Sequence, residues 1–479
     1  MNSRRLAGNF LALFGAQVVA QLAGLVTVAW LARALQPEAF GIVGFGAALL
    51  SYFGLAVVFG TDRLIMREIA RDAAATATLL PRLIGLRIAL LVVAAALYLL
   101  VIELIDQPGP VKTVMRVQVL GLAAAAISLD FVYQGLQRMS VIGWRQVLSS
   151  VLVLGLSVAF VRSADDVVAA AAIPHAALLL TGIWLAWRVQ RDTGAVSVSV
   201  DLSAWGDLLR RASPMAVTAV MATVYLNIDV VMLGFMDSQT AVGLYAGAGR
   251  IYAIAGVIGS LLVATFLPSL AAAFGASDDM RRQYRDFALA MLLLGVPVVA
   301  VVGGFAPAVI AVLLGEGFAG ASTALVLLMA AAGLNYANQI GGAALISWNR
   351  EKTLMYSQGS GAVSNVALNL ILIPRYGLLG AAAATIASEA IVLAIQMART
   401  RALFGVTPLR PMLQVWTAAG AALLVVWAAG RLSGGGLGFD SAALQLAVNG
   451  GLFCALYASI LWASGVADPR RLWRLVRVR

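Results

Sequence analysis

One arginine in this chain stands where charge is costly. Arg250 lies within Gly249-Arg250-Ile251-Tyr252, in the middle of an apolar run that carries no other charge. It sits about ten residues past the turn at 237–240, or about 15 Å along a helix. In a hydrocarbon layer about 30 Å thick, that is close to the midplane. A cation at that depth needs an anion or a hydrated space, and is by default functional. Asp229 lies about eight residues before the same turn, about 12 Å deep on the preceding run. Glu389 is also near mid-depth, and Asp130 sits nearer the inner end of its run. A guanidinium binds phosphate or sugar oxygens through paired hydrogen bonds. A carboxylate beside it can hold it in place, or take up a proton or cation. The plain alternative is an Arg250–Asp229 pair that only fastens one helical hairpin.

Amides repeat at helical spacing elsewhere. Gln17, Gln21 and Gly24 share one face of the first run; Asn335, Asn338 and Gln339 share a face of the tenth; Gln358, Asn365 and Asn369 share one on the eleventh. Positions three, four or seven apart point the same way on a helix. Such groups either line a hydrated cavity and hydrogen-bond sugar hydroxyls, or join helices to one another. His175, the only histidine, follows Pro174 and reads as satisfied against a neighbouring helix. Pro174, Pro297 and Pro307 mark kinks.

These residues need elements that hold them inside a membrane. The chain has 479 residues, of which 62% are hydrophobic and 11% charged. Soluble domains run nearer half apolar and a quarter charged, so this surface must face lipid. Apolar segments fall near 9–31, 39–60, 83–105, 113–135, 144–162, 166–187, 213–236, 241–267, 287–313, 322–346, 353–373, 378–398, 411–431 and 441–464. Each suits one transmembrane helix. A barrel strand would alternate polar and apolar residues, which these do not. The expected fold class is therefore an all-α polytopic membrane protein with about fourteen spans, both termini on the cytoplasmic side. Arg33, Lys112, Arg116, Arg162, Arg375 and Arg431 fall on outer segments; every other basic residue except Arg250 falls on inner ones. A missed span would scramble that alternation.

The net charge of +11 serves this topology. The arginines are spread over loops, so nucleic acid is not an expected partner. Cys454 is the only cysteine, which excludes an intramolecular disulfide and a cysteine metal cluster. The run after Met1–Arg5 is too long for a signal peptide and reads as the first span.

The halves are related. Sliding the chain by 202 residues lays Gly41, in Pro37-Glu-Ala-Phe-Gly41, on Gly243, in Gln239-Thr-Ala-Val-Gly243. Both are outer turns leading into glycine-containing helices. Spans 1–6 (residues 1–190) and 7–12 (213–400) then form two six-helix lobes. Residues 191–212 join them as an amphipathic linker with Trp205 at the headgroups, and 401–479 add two helices and a basic tail. Parallel repeats of this kind are common in transporters, with the substrate path where they meet.

Three stretches resemble the polysaccharide transporters, the lipid-linked oligosaccharide flippases of the multidrug/oligosaccharidyl-lipid/polysaccharide exporter superfamily. They are Leu31-Ala-Arg-Ala-Leu-Gln-Pro-Glu-Ala-Phe-Gly41, Val242-Gly-Leu-Tyr-Ala-Gly-Ala-Gly-Arg-Ile251, and Asn365-Val-Ala-Leu-Asn-Leu-Ile-Leu-Ile-Pro-Arg-Tyr-Gly-Leu-Leu-Gly-Ala-Ala382. The resemblance covers spans 1–12. It implies a bacterial inner-membrane protein, not an enzyme, that moves an undecaprenyl-pyrophosphate-linked glycan to the outer leaflet by alternating access. It serves synthesis of a surface polysaccharide such as lipopolysaccharide. Its partners would be the lipid-linked oligosaccharide and membrane lipids, with a glycan polymerase and glycosyltransferases nearby. No cofactor is expected; proton or sodium coupling would run through Asp229 or Glu389. The expected substrate-facing residues are Arg250, Asp229, Glu389, Asp130, Gln17, Gln21, Asn335, Asn338, Gln339, Asn365 and Asn369. A multidrug exporter of the same superfamily would have twelve helices and an acidic cavity. A glycan polymerase or ligase would need a large outer loop, and a pure scaffold would have no use for charge inside the membrane.

Overall fold

The computed structural model describes residues 3–273, 277–404, 409–432 and 441–466. The expected basic tail with Arg470, Arg471, Arg474, Arg477 and Arg479 lies outside the described residues. Those described are helical almost throughout, with no strand among them. In chain order the helices are α1 (Ser3–Val58), α2 (Thr61–Arg71), α3 (Thr76–Leu104), α4 (Gly109–Gln118), α5 (Leu120–Ala126), α6 (Asp130–Gly135), α7 (Met139–Phe160) and α8 (Val167–Thr193). They continue with α9 (Leu202–Met236), α10 (Gln239–Ala272), α11 (Ser277–Gly304), α12 (Ala306–Leu313), α13 (Ser322–Ser347), α14 (Glu351–Phe404), α15 (Leu409–Leu432) and α16 (Ala442–Ala463).

Among the described residues, twelve helical stretches are long and apolar enough to cross a membrane. Two of them, Gly15–Val58 and Glu351–Arg401, are long enough for two passes and contain a non-helical residue. Dividing them there gives the fourteen spans expected. In α1 the break is Gln36 (φ 58°, ψ 171°), followed by Pro37. A proline ring crowds the residue before it out of the α region. In α14 the break is Gly377 (φ 54°), where the absence of a Cβ makes positive φ tolerable.

The chain forms two compact units, Met1–Gly243 and Leu244–Arg479. In the first, α1 packs on α7, α9, α3 and α4, and α8 packs on α4, α5 and α7. The expected linker does not stand apart: it belongs to this unit, and its helical part is continuous with span 7 as α9. Asp201 caps α9 by accepting from the Ala204 amide at 3.0 Å. The two long inner segments of the sequence meet here. Arg211 pairs with Glu68 at 2.5 Å, Arg82 faces Asp201 at 3.6 Å, and the Ser199 amide donates to the Pro81 carbonyl at 3.0 Å. Trp205 lies against Gly85 of α3. Leu64, Ile65 and Ile69 of α2 are buried in a shared core with α3, α6, α8 and α9. Each such burial stabilises by about 2 kcal/mol relative to water.

The equivalent glycines of the two repeats touch within this first unit. A Cβ on Gly41 would lie 1.9 Å from the Gln239 carbonyl oxygen, and one on Gly243 would lie 1.8 Å from the Pro37 carbonyl oxygen. The contact is reciprocal in the same register of 202 that relates the sequences. Only glycine lets two helix starts approach so closely.

In the second unit α13 is sandwiched by α11 and α14, while α15 and α16 pack on each other and on α11 and α12. The Tyr336 hydroxyl donates to the Ala255 carbonyl at 2.6 Å and ties α13 to α10. Cys454 lies exposed on α16.

Candidate functional site

The deepest polar cluster lies in the second unit. Glu389 on α14 is 1% exposed. Asn335 Nδ2 donates to its Oε1 at 3.0 Å, and Asn338 Nδ2 donates to its Oε2 at 2.5 Å and to its backbone carbonyl at 3.0 Å. Gln339 Nε2 donates to Asn335 Oδ1 at 2.8 Å, and its amide fills the space beside Gly259 of α10. Thus the amide stripe of α13 points at a carboxylate on α14. A buried carboxylate is tolerable only when its oxygens accept such bonds. Asn365 and Asn369 are also buried, with Asn369 Nδ2 donating to Asn365 Oδ1 at 3.1 Å one turn away. Arg250 differs: its side chain is exposed on α10, and the unit's ion pairs, Arg282–Asp279 and Arg285–Asp286, do not include it among the described residues.

In the first unit Asp130 does not stand as a lone charge. Arg145 of α7 holds it in a two-pronged pair, Nε to Oδ1 at 2.7 Å and Nη2 to Oδ2 at 2.6 Å, with Ser128 Oγ at 3.3 Å. Arg145 and Asp130 are 16% and 18% exposed and line a cavity of about 180 Å³ with Ser128, Gly121, Leu178 and Gly182. The cavity opens where span 4 is interrupted between α5 and α6. Arg87 of α3 reaches into that interruption. It is 1% exposed, donates to the Ser128 carbonyl at 2.9 Å and to Thr61 Oγ1 at 3.0 Å, pairs with Asp62, and lies 5.1 Å from the Phe131 ring. A broken helix in a membrane must have its freed carbonyls satisfied by protein, and Arg87 does this.

Asp229 is half-buried on α9, near Tyr52 of α1. Gln17 Oε1 accepts from Gln146 Nε2 of α7 at 2.8 Å, so it joins two helices; Gln21 is exposed. His175 packs against Gly121 of α5. By charge alternation alone, Arg87 and Arg145 count with the inner loops. A signal for Arg87 was present, because it follows the apolar Leu83-Ile-Gly-Leu86.

Residues 6–274 match the sequence family described as Polysaccharide biosynthesis protein. A curated Escherichia coli (strain K12) protein named "Putative O-antigen transporter" is 25% identical over 256 residues, covering 52% of this chain and 62% of that protein. Among solved structures, one titled "Lipid II flippase MurJ, inward closed conformation" superposes with TM-score 0.75 at 13% identity, covering 95% of this chain and 100% of that one. An inward-facing MATE family multidrug resistance transporter of the MOP superfamily gives 0.63 at 18% identity, covering 80% and 95%.

Proposed function

Since the chain belongs to the polysaccharide biosynthesis protein family, we propose that it flips a lipid-linked oligosaccharide between the leaflets of the bacterial inner membrane. The cargo on this reading is an undecaprenyl-pyrophosphate glycan, moved from the cytoplasmic to the outer leaflet by alternating access. The observation that carries the reading is the family match together with a fold shared with a lipid II flippase over 95% of the chain. A pyrophosphate head cannot cross hydrocarbon bare, and Arg250, exposed within a membrane span, is the cation that would receive it.

Asn335 and Asn338 are turned toward Glu389, with Gln339 bonded to Asn335, and they serve sugar less well than they serve that carboxylate. Glu389 is then the group through which a proton or sodium ion couples to the cycle. Asn365 and Asn369 bond each other along one helix, and Asp130 is committed to Arg145. A glycan polymerase and glycosyltransferases would be neighbours in the pathway, and chemistry on the glycan is left to them.

The multidrug exporter reading draws on the MATE likeness, which extends over 80% of the chain and so leaves part of it unmatched. A leaflet-accessibility assay decides between the two. Cells lacking the protein should retain the lipid-linked glycan on the cytoplasmic side, and wild type should restore outer exposure. Unchanged glycan exposure, with drug resistance lost instead, would favour export of drugs.

A further inference from the structure

The short helix α2 carries a charged face that the transport reading does not use. Arg63, Arg67 and Arg71 recur every four residues along Thr61–Arg71 and are exposed. They form one row about 12 Å long, at 1.5 Å per residue. The orientation of the row is fixed, because the opposite face places Leu64, Ile65 and Ile69 in the core.

The acidic residues of α2 do not neutralise this row. Asp62 is taken by Arg87, and Glu68 by Arg211, both from other helices. None of the ion pairs among the described residues includes Arg63, Arg67 or Arg71. Like charges four apart destabilise an isolated helix. Here the buried face holds them in that arrangement regardless. A topology signal requires only a count of basic residues near a span, not an ordered and uncompensated row.

The helix is also tethered at both ends. It begins three residues after the last residue of α1 and ends five before the first of α3, both of which contribute membrane spans. Its exposed face is therefore held at headgroup depth, where the abundant anions are lipid phosphates. We propose that the Arg63–Arg67–Arg71 row is a binding site for acidic phospholipid headgroups of the leaflet on which α2 lies. This goes beyond the transport reading and does not depend on it.

The test is a native mass spectrometry titration of the purified full chain with phosphatidylglycerol, using phosphatidylcholine as reference. Each arginine near an anionic surface contributes roughly fivefold to binding, so three contribute on the order of a hundredfold. Arg63→Gln/Arg67→Gln/Arg71→Gln should lower the preference for phosphatidylglycerol by about that factor. Arg162→Gln, an exposed arginine on an outer segment by the charge alternation, should leave it unchanged. Added salt should erode the wild-type preference. The triple variant should melt like wild type in phosphatidylcholine alone, because the three side chains form no ion pairs; if it melts lower, each single variant should still show its fivefold loss. An unchanged preference in these variants, or an equal loss in Arg162→Gln, would overturn the proposal. So would displacement of phosphatidylglycerol by inorganic pyrophosphate at equal phosphate concentration, which would assign the row to a free anion.

Discussion

At the scale of single residues, the two buried charges behave differently because their partners do. Arg87 is 1% exposed, whereas its partner Asp62 is 38% exposed. Asp62→Ala would leave an uncompensated guanidinium in the protein interior, at a cost of about 3 kcal/mol or more. Arg87→Met would leave a carboxylate that water can still reach, so it should cost less. Thermal melting of the two variants in detergent should rank them in that order, and the reverse ranking would mean that the bonds from Arg87 to the Ser128 carbonyl and Thr61 outweigh its pairing with Asp62. Glu389→Gln keeps shape but sets an amide donor against the Asn338 amide. It should lower stability by about 1–3 kcal/mol. If Glu389 carries the coupling ion, the variant's residual glycan flipping should also lose its dependence on a proton or sodium gradient. Arg250→Ala should reduce flipping about tenfold or more, since hydrogen bonds to charged groups contribute about 1.5–3 kcal/mol each. Its melting temperature should hold, and wild-type flipping would remove Arg250 from the substrate path. Glu389 could be placed at mid-depth from sequence because charge in an apolar run is conspicuous. That two amides converge on it was not legible, since one sequence does not tell which faces of two helices meet.

Among the elements, the spans were legible and their interruptions only partly. Gln36 and Gly377 lie beside proline or are glycine, so local sequence explains where α1 and α14 turn. The break between α5 and α6 has no such mark. Ile127, Ser128 and Leu129 are ordinary residues, and the donor that captures the Ser128 carbonyl comes from Arg87, 41 positions away. Nothing local in segments 61–82 and 188–212 says that Glu68 will meet Arg211. The glycine crossing yields a sharper expectation. Gly41→Ala forces a methyl group onto the Gln239 carbonyl, and Gly243→Ala forces one onto the Pro37 carbonyl. Overpacking of this kind costs about 1–3 kcal/mol. Once one alanine has separated the helix starts, the second meets less resistance, so the double variant should melt well above the additive expectation. Strict additivity would indicate two independent sites.

For the whole molecule, composition and charge alternation gave the solvent and the number of crossings before any contact was known. Fourteen crossings return the chain to the side on which it began. A membrane-impermeant thiol reagent applied to intact cells, in a Cys454→Ser background, should therefore label Ser163→Cys and spare Ser197→Cys. The opposite pattern would invert the assignment of inner and outer segments. The boundary between compact units falls at Gly243 rather than near residue 190, because α9 is packed on α1, α2 and α3. Hydropathy carries no information about such allegiance, for an apolar helix can satisfy its surface against either neighbour or against lipid. The solitary thiol on α16 offers a practical return. A maleimide dye or nitroxide that enters the detergent layer has Cys454 as its one thiol target in the chain, with no engineered background. Under mild oxidation the same sulfur can find a partner only on a second molecule, so a band at twice the mass would report that two copies bring their α16 helices face to face.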